Sequence, residues 1–388
     1  MKTARLALAA LTLTACGGSP DGAAPLPDAS LDTIITTPDA PPPLDEVATA
    51  LPDVAVLDVP ATPDAPSAPD APPVATTDNQ WRWTDIPGSA CANGTPTGFG
   101  VNRRPGARAV MIFLQGGGAC WDGPSCWGPV SSSFYVATGY GGLQFATDIL
   151  RPASLFLRRD ARENPFRDFN LVYVPYCTGD VHAGDRVATY DWLGRRPTHH
   201  RGAHNLGLFL PRIAATFPDA ERVFLAGDSA GGFGVALNLD RVRDAFPRAR
   251  VAGVDDSGPP IQPAGDRWAT WSATWGVRFP PECPAACATS IDVAVDTFRR
   301  RLDGVRVAVV SYENGLVIRT FMGHDAQGFG LRLRALADRV DATWPGARYF
   351  ITPGISHVAE IQLIRPPGYD AWIQRFVDDD PTLRSVRP

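Results

Sequence analysis

The chain has 388 residues and a formal net charge of -5 at neutral pH. This length allows one large α/β domain or two smaller domains. The charge is mildly acidic and there is no basic stripe, which excludes the usual surface of a nucleic-acid-binding protein, so we predict no nucleic-acid partner.

The first sixteen residues are typical of an export signal. Lys2 and Arg5 precede an apolar run that is too short to span a bilayer. The run ends in the sequence LTAC, which resembles a bacterial lipobox and predicts cleavage before Cys16 and diacylation of its thiol. We therefore predict an exported lipoprotein at the outer membrane or cell surface, held there by the lipid on Cys16. The alternative is an ordinary secretory peptide in which Cys16 has no role.

Residues 17–80 have the composition of an extended tether. The triplet Pro-Asp-Ala occurs four times, and the segment contains no Lys, Arg or aromatic residue. Such a sequence cannot bury a core, and its prolines and like charges favour an extended chain. We predict that this tether precedes a folded domain over residues 81–388.

The folded part alternates short apolar runs with helical segments. Two amphipathic segments, 232–246 and 331–344, are each followed by a proline. Nearly continuous apolar runs are typical of parallel strands that are covered on both faces. The pattern predicts one α/β domain, with a mostly parallel sheet and helices on both faces. The candidate strands are Ala109–Leu114, Leu171–Val174, Val223–Ala226, Val251–Val254, Val305–Val310 and Tyr349–Ile351.

The sequence GDSAG at 227–231 lies between a predicted strand and a predicted helix. It fits the G-x-S-x-G pattern of a nucleophile elbow, in which small neighbours allow a sharp strand-to-helix turn. This context predicts Ser229 as a nucleophile. The alternative is a glycine-rich turn without a catalytic role.

A serine nucleophile requires a base and usually an acid that orients the base. In the α/β-hydrolase order both follow the serine, and the histidine comes last. His357, just after the final predicted strand, is our candidate base, and His324 is its rival. Glu313, after the strand at 305–310, is the candidate acid, with Asp256 and then Asp325 as alternatives.

An oxyanion hole needs backbone N–H groups that point at the developing negative charge. The N–H of Ala230 should supply one, because Ala230 follows the nucleophile. A second should come from the loop that follows an earlier strand. The sequence FLQGGG at 113–118 fits, since its three glycines allow close approach of the backbone.

Six cysteines follow the tether, and an even number in an exported chain suggests disulfides. We predict Cys120–Cys126 and Cys283–Cys287 as short loops and Cys91–Cys177 as a long bridge. No CxxC or paired-histidine spacing favours zinc. We predict neither a metal nor an organic cofactor.

Several of these motifs together resemble the pectin acetylesterase and Notum family. The resemblance implies an α/β-hydrolase-like serine esterase that removes acyl groups from oxygen, with Ser229 as nucleophile and His357 as base. It also implies Gly117, Gly118 and Ala230 as oxyanion donors. The matching motifs are CANGT at 91–95, LQGGGACW at 114–121, YCTGD at 176–180, GD at 184–185, GDSAGG at 227–232 and DSG at 256–258.

The chain departs from this family pattern at two positions. Ala119 stands where the family usually has an aromatic residue, and Glu313 stands where it usually has Asp. The first departure concerns the acyl pocket and the second concerns the acid. A glutamate is chemically adequate as the acid, because its pKa is close to that of aspartate.

These observations predict a lipid-anchored carboxylic-ester hydrolase that acts through an acyl-serine intermediate. Its expected substrates are O-acetyl groups on polysaccharide or other small acyl esters. Two alternatives are a lipase or polyester depolymerase with the same triad, and a non-catalytic surface protein that binds polysaccharide. Trp268, Trp271 and Trp275 have helical spacing, and we expect them to pack in the core rather than bind sugar.

Overall fold

The computed structural model of the protein describes residues 71–128, 133–150 and 153–388. The predicted signal sequence, the predicted lipidation site Cys16 and residues 17–70 of the predicted tether lie outside the described residues. In the described segments, no helix combines the length and the apolar character needed to cross a bilayer.

An eight-stranded sheet forms the centre of the fold, in the order β1-β2-β4-β3-β7-β8-β9-β10. The six strands from β4 to β10 run parallel, whereas β1 pairs antiparallel with β2, and β2 with β4. The remaining two strands, β5 and β6, form a separate hairpin. The strands are β1 (Trp81–Asp85), β2 (Gly98–Asn102), β3 (Ala109–Leu114), β4 (Asn170–Val174), β5 (Arg186–Asp191), β6 (Arg195–His200), β7 (Arg222–Asp228), β8 (Arg250–Asp256), β9 (Arg306–Tyr312) and β10 (Ala347–Thr352).

Helices connect the parallel strands. The two predicted helices are present as α4 and α8, and each begins a few residues earlier than the sequence pattern indicated. The α-helices of the described residues are α1 (Gly123–Trp127), α2 (Gly142–Leu150), α3 (Gly202–Thr216), α4 (Ala230–Ala245), α5 (Arg267–Trp275), α6 (Ile291–Arg301), α7 (Leu316–Met322), α8 (Ala326–Thr343) and α9 (Tyr369–Val377).

The central strands are buried on both faces, and their side chains alternate between two apolar layers. In β7, Val223 and Leu225 pack in a layer with residues of α3, α4, α6 and α8. Phe224 and Ala226 point to the opposite layer, where Phe376 of α9 contacts Phe224 with ring centroids 6.5 Å apart. Helices on both faces and a mostly parallel sheet confirm the predicted fold class.

All six predicted strands are present, but four further strands were missed. The sequence of β2, GFGVN, contains two glycines, which are unfavourable in strands. Gly98 is required there because a Cβ would lie 1.9 Å from the carbonyl oxygen of Thr84 in β1. The β5–β6 hairpin is largely exposed and has a proline at 197, so its sequence lacks the apolar signal of a buried strand.

Residues 71–80, at the end of the predicted tether, contact the domain. The Val74 N–H donates to Oγ1 of Thr216 at 3.0 Å, and Asp78 forms an ion pair with Arg103. Ala71 is buried. These contacts extend the edge of the folded region to the N-terminal side of residue 81.

The cysteine and tryptophan predictions are confirmed. The disulfides are Cys91–Cys177, Cys120–Cys126 and Cys283–Cys287. Trp268, Trp271 and Trp275 lie on α5 and are buried. The Trp268 and Trp275 indoles donate to the carbonyl oxygens of Cys287 and Cys120, at 2.8 and 2.7 Å, so the α5 tryptophans pack against the disulfide loops.

Candidate active site

Ser229 occupies a strained turn between β7 and α4. Its φ of 54° and ψ of -116° are rare for a residue other than glycine. The Ser229 N–H donates to the carbonyl oxygen of Asp256 at 2.7 Å, and its own carbonyl oxygen accepts from Phe233 N–H at 3.2 Å. The turn requires glycine at 231, where a Cβ would lie 1.9 Å from the carbonyl oxygen of Leu114. This is the strand–turn–helix geometry that the GDSAG sequence predicted.

A cavity of about 670 Å³ brings the predicted groups together. Ser229, His357, Gly117, Gly118 and Ala230 all line it. They come from the turn after β7, the loop after β10 and the loop after β3, which meet at the carboxyl edge of the parallel sheet. Ligands of open α/β sheets bind at this edge.

Most of the remaining cavity wall is apolar. Phe233 lies on α4 beside the nucleophile, and α7 contributes Ile318 and Phe321. Phe113 and Leu157 complete this part of the wall. The sequence does not indicate these residues as site residues, because an apolar side chain that faces a cavity has the same sequence pattern as one that faces the core.

The loop after β3, residues 115–118, is called the glycine loop here, and hydrogen bonds fix its first two residues. The carbonyl oxygen of Gln115 bonds to Nε2 of His182 at 2.9 Å, and the Gly116 N–H donates to Oδ1 of Asp228 at 2.7 Å. Burial lowers the pKa of His182 to about 4, so this ring is neutral and its Nε2–H is the donor. Gly117 follows with a φ of 151°, a backbone conformation that favours glycine.

The other predicted oxyanion donor lies at a helix end. Ala230 is the first residue of α4. Backbone N–H groups in the first turn of a helix have no partner within that helix, and the positive end of the helix dipole favours negative charge there. The Ala230 N–H can therefore serve a developing oxyanion in the cavity.

His357 lies in the loop after β10 and is largely buried. Desolvation lowers the pKa of its imidazole to about 4, because burial disfavours the charged form. Its Nδ1 atom has no hydrogen-bond partner among the described residues. The ring is therefore neutral at pH 7 and is able to accept a proton.

Three consecutive backbone amides after His357 are held by the end of β8. The Val358 N–H donates to Oγ of Ser257 at 3.0 Å. The Ala359 and Glu360 N–H groups donate to the two carboxylate oxygens of Asp256, at 2.9 and 2.8 Å. The sequence alone indicates Asp256 only as an alternative triad acid, and these contacts are not visible in it.

Glu313 lies close to the loop after β10 that carries His357 (the histidine loop), but its carboxylate points toward α8. The segment after β9 runs beside the segment after β10, since Asn314 N–H and Leu316 N–H donate to the carbonyl oxygens of Gly354 and Ile355, each at 3.0 Å. The Glu313 carboxylate forms an ion pair with Arg334 of α8 and does not line the cavity. The structure thus brings the Glu313 backbone near the histidine loop without joining the two side chains.

The alternative acids and the rival histidine have other partners. The buried Asp256 carboxylate accepts hydrogen bonds from Ser257 Oγ and Tyr369 OH as well as from the two amides. Asp325 caps α8 through a bond from Gly328 N–H at 2.6 Å. His324 bonds to the carbonyl oxygen of Gln262 at 2.9 Å and does not line the cavity.

The chain is similar in sequence to a family model and to several known proteins. Residues 82–264 match the family model described as Pectinacetylesterase. Among curated proteins, the chain is 28% identical over 181 residues to palmitoleoyl-protein carboxylesterase NOTUM of Mus musculus, which is 43% of this chain and 33% of that protein. It is 32% identical over 187 residues to palmitoleoyl-protein carboxylesterase notum2 of Xenopus laevis, which is 43% of this chain and 34% of that protein. The matches thus span about a third of these relatives.

A solved structure shows the same fold. The Wnt deacylase Notum from Drosophila superposes with a TM-score of 0.56 at 20% sequence identity, covering 78% of this chain and 94% of that chain. The α/β-hydrolase-like architecture is therefore shared over most of the described domain.

Proposed function

We propose that this chain, whose residues 82–264 match the Pectinacetylesterase family model, is a serine carboxylesterase that hydrolyses O-acyl esters through an acyl-serine intermediate. The single observation that carries the proposal is the cavity in which Ser229 and His357 lie beside the glycine loop. A strained nucleophile, a neutral imidazole and backbone N–H donors are the parts that acyl transfer requires.

The proposed reaction has two steps. His357 takes the proton of the Ser229 hydroxyl while the oxygen attacks the ester carbonyl, and the N–H groups of Gly117, Gly118 and Ala230 stabilise the oxyanion. The alcohol then leaves with the proton from His357, so that the acyl group remains on the serine. Water, deprotonated by His357, attacks this acyl ester; the bond between the acyl carbon and the serine oxygen breaks, His357 returns the proton to that oxygen, and the carboxylic acid leaves the free serine.

We propose Glu313 as the acid of this triad. Two observations support it: it follows β9, and its segment is hydrogen-bonded to the segment that leads to His357. To act, the carboxylate must leave Arg334 and accept a bond from Nδ1–H of His357. That contact would fix the tautomer and stabilise the imidazolium.

Small acyl esters, in particular O-acetyl groups on polysaccharide, are our first candidate substrates. The size of the cavity favours a second candidate, esters of longer acyl chains, because an acetyl group has only two carbons and would leave most of the apolar wall in contact with water. A series of p-nitrophenyl esters from acetate to decanoate separates the two. A kcat/KM that falls beyond butyrate favours the first candidate, and one that rises to octanoate favours the second.

We also propose that the protein is exported and anchored through a lipid on Cys16. The three disulfides support export, since such bridges persist in oxidising compartments. Mass spectrometry of the N-terminal peptide after export tests the anchor. A diacylglyceryl group on Cys16 supports it, and an unmodified N-terminus without Cys16 contradicts it.

The esterase proposal is tested with the full, oxidised chain and p-nitrophenyl acetate, with octanoate as a second substrate. We expect the wild type to turn over and Ser229→Ala and His357→Gln to be inactive. His324→Gln is the matched control, because this histidine lies outside the cavity, and it should retain activity. If the folded wild type is no faster than Ser229→Ala on both esters, the esterase proposal is wrong, and binding of polysaccharide becomes the function to test.

A further inference from the structure

We infer that Asp256 and Ser257 are positioning residues that fix the position of the proposed base His357 relative to the proposed nucleophile Ser229. The inference rests on the proposed esterase function, and it assigns these residues a role that is distinct from that of a triad acid. Both residues stand at the end of β8, the strand that lies between β7, which leads to Ser229, and β9.

One residue contacts both halves of the site. The backbone carbonyl of Asp256 accepts the Ser229 N–H at 2.7 Å. Its carboxylate accepts the N–H groups of Ala359 and Glu360, the second and third residues after His357. A displacement of Asp256 therefore moves the nucleophile and the base relative to each other.

Ser257 completes the connection. Its Oγ accepts the N–H of Val358, which directly follows His357, and donates to Oδ1 of Asp256 at 2.9 Å. Its own N–H donates to the carbonyl oxygen of Val310 in β9 at 2.8 Å, which fixes it to the sheet. The three amides of residues 358–360 thus all bond to two adjacent side chains on one strand end.

The backbone at all three points is strained. Ser229, Ser257 and Val358 have φ values of 54°, 67° and 51°, in the left-handed region that residues other than glycine rarely adopt. Val358 is β-branched, for which this conformation is especially unfavourable. Such conformations persist only where surrounding contacts fix them, and they cluster at functional sites. Asp256 and Ser257 supply that constraint, because they accept hydrogen bonds from Ser229 on one side of the cavity and from residues 358–360 on the other.

The Asp256 carboxylate is saturated by these contacts. It is fully buried and accepts four hydrogen bonds, from two amides, the Ser257 hydroxyl and the Tyr369 hydroxyl. A carboxylate offers about four acceptor positions. All are occupied by groups other than the His357 imidazole, so Asp256 holds the loop that carries the base and leaves the ring itself free.

Three substitutions test the inference in the full chain. Ser257→Ala removes the acceptor of the Val358 N–H and leaves the left-handed strain unchanged. Ser257→Gly removes the same acceptor and also relieves the strain. Asp256→Asn replaces one carboxylate oxygen by an amide group that cannot accept. The matched control is Asp255→Asn, one residue earlier, whose buried carboxyl bonds to Gly258 N–H and has no bond to the histidine loop.

We expect kcat for p-nitrophenyl acetate to fall roughly tenfold in both Ser257 variants and about a hundredfold in Asp256→Asn, because small misplacements of a catalytic group have effects of this size. KM should change by less than about twofold, since bound substrate touches neither residue. Asp255→Asn should keep kcat within about twofold, because its carboxyl has no bond to the loop that carries His357, and burial raises its pKa well above the usual range, which favours the neutral form that an amide resembles.

Hydrogen exchange of the amides of residues 358–360 provides a readout that does not depend on catalysis. In the Ser257 and Asp256 variants these amides should exchange at least about tenfold faster, while amides of β7 keep their protection. If the variants exchange faster but the wild type hydrolyses no ester, the contact between these residues and the amides is supported and the esterase proposal is rejected. The positioning inference is wrong if exchange is unchanged, or if Ser257→Gly restores kcat relative to Ser257→Ala, since strain and not the hydrogen bond would then matter.

Discussion

At the scale of single residues, Glu313 has two possible partners, and only one of them is occupied in the structure. Its carboxylate is paired with Arg334, although its backbone lies beside the segment that leads to His357. A partly exposed ion pair of this kind contributes little to stability, on the order of 0–1 kcal/mol. The pair can therefore open at little cost if the carboxylate is needed at the imidazole.

We predict that Glu313→Gln lowers kcat by at least about a hundredfold, because a neutral amide cannot stabilise the imidazolium. Arg334→Met should leave kcat unchanged or raise it, because it removes the competing partner of the carboxylate. Steady-state rates with p-nitrophenyl acetate measure both. A structural ion pair gives the opposite pattern, in which both variants keep kcat and show the same small loss of thermal stability.

A second prediction concerns pH and rests on the largely buried imidazole of His357. Desolvation lowers its pKa to about 4, so the neutral form that accepts the serine proton persists well below the ordinary histidine value of about 6.5. We expect the acid limb of kcat/KM to lie below pH 6.5 in a profile measured from pH 4 to 8. An acid limb at or above pH 6.5 would show that the cation is stabilised in the free enzyme.

Single residues differ in how far sequence could predict them. The position of Ser229 in a strand-to-helix turn and that of His357 after the last strand were predictable, because the glycine-flanked motif and the order of the residues along the chain are visible in the sequence. The contacts of Asp256 and Ser257 with the loop that carries His357 were not predictable, since their partners lie about a hundred positions later in the chain. The orientation of Glu313 depends on a competing cation on α8, which no local pattern reveals.

At the scale of elements, the elbow and the glycine loop fit together through backbone contacts that leave no room for a side chain. A Cβ at Gly231 would lie 1.9 Å from the carbonyl oxygen of Leu114, at the end of β3. The loop after β3 and the turn after β7 are thus packed directly against each other. This contact sets the distance between the proposed oxyanion donors and the proposed nucleophile Ser229.

Gly231→Ala should therefore be strongly disruptive. We expect a loss of about 3 kcal/mol or more in the free energy of unfolding, since backbone must move to admit the methyl group. Activity should fall with it. The matched control is Gly207→Ala on α3, where a Cβ would meet nothing within 4 Å, and which should gain up to about 1 kcal/mol. Urea unfolding measures both, and equal effects would contradict the packing.

The elements themselves were predictable where the sequence contains a continuous apolar run. The six parallel strands of the sheet are such runs and all six were predicted, whereas β2 is equally buried but contains two glycines. The four missed strands, β1, β2, β5 and β6, lie at the sheet edge or in the separate hairpin, where glycine, proline and exposed polar residues replace the apolar signal. Whether these segments form strands depends on the neighbouring strands with which they pair, and the sequence of one segment does not show those neighbours.

At the scale of the whole molecule, the three disulfides close loops of very different length. Cys91–Cys177 spans 86 positions and joins the segment before β2 to the segment after β4. Cys283–Cys287 spans only 4 positions. Because the entropy lost by the unfolded chain grows with loop length, the long bridge should contribute about 4–5 kcal/mol and the short one about 2 kcal/mol.

We predict that the double variant Cys91→Ala with Cys177→Ala loses about 2–3 kcal/mol more stability than Cys283→Ala with Cys287→Ala. Both pairs remove two sulfur atoms, so each serves as the control for the other. Unfolding in guanidinium, followed by tryptophan fluorescence, measures the difference. If the two variants are equally stable, contacts in the folded state outweigh the effect of loop length.

The hydrogen bonds that the Asp256 carboxylate accepts from the residues after His357 have a consequence for shortened chains. Residues 82–264, which match the family model, contain the proposed nucleophile Ser229, the glycine loop and Asp256, whereas the two amides that donate to the Asp256 carboxylate lie beyond residue 264. A fragment restricted to that segment would still be recognised by its sequence, yet it would lack the proposed base His357 and three of the four hydrogen-bond donors of the Asp256 carboxylate. The part of the chain that matches the family model is therefore not sufficient for the proposed activity. That activity also requires β9, β10 and the loop that carries His357.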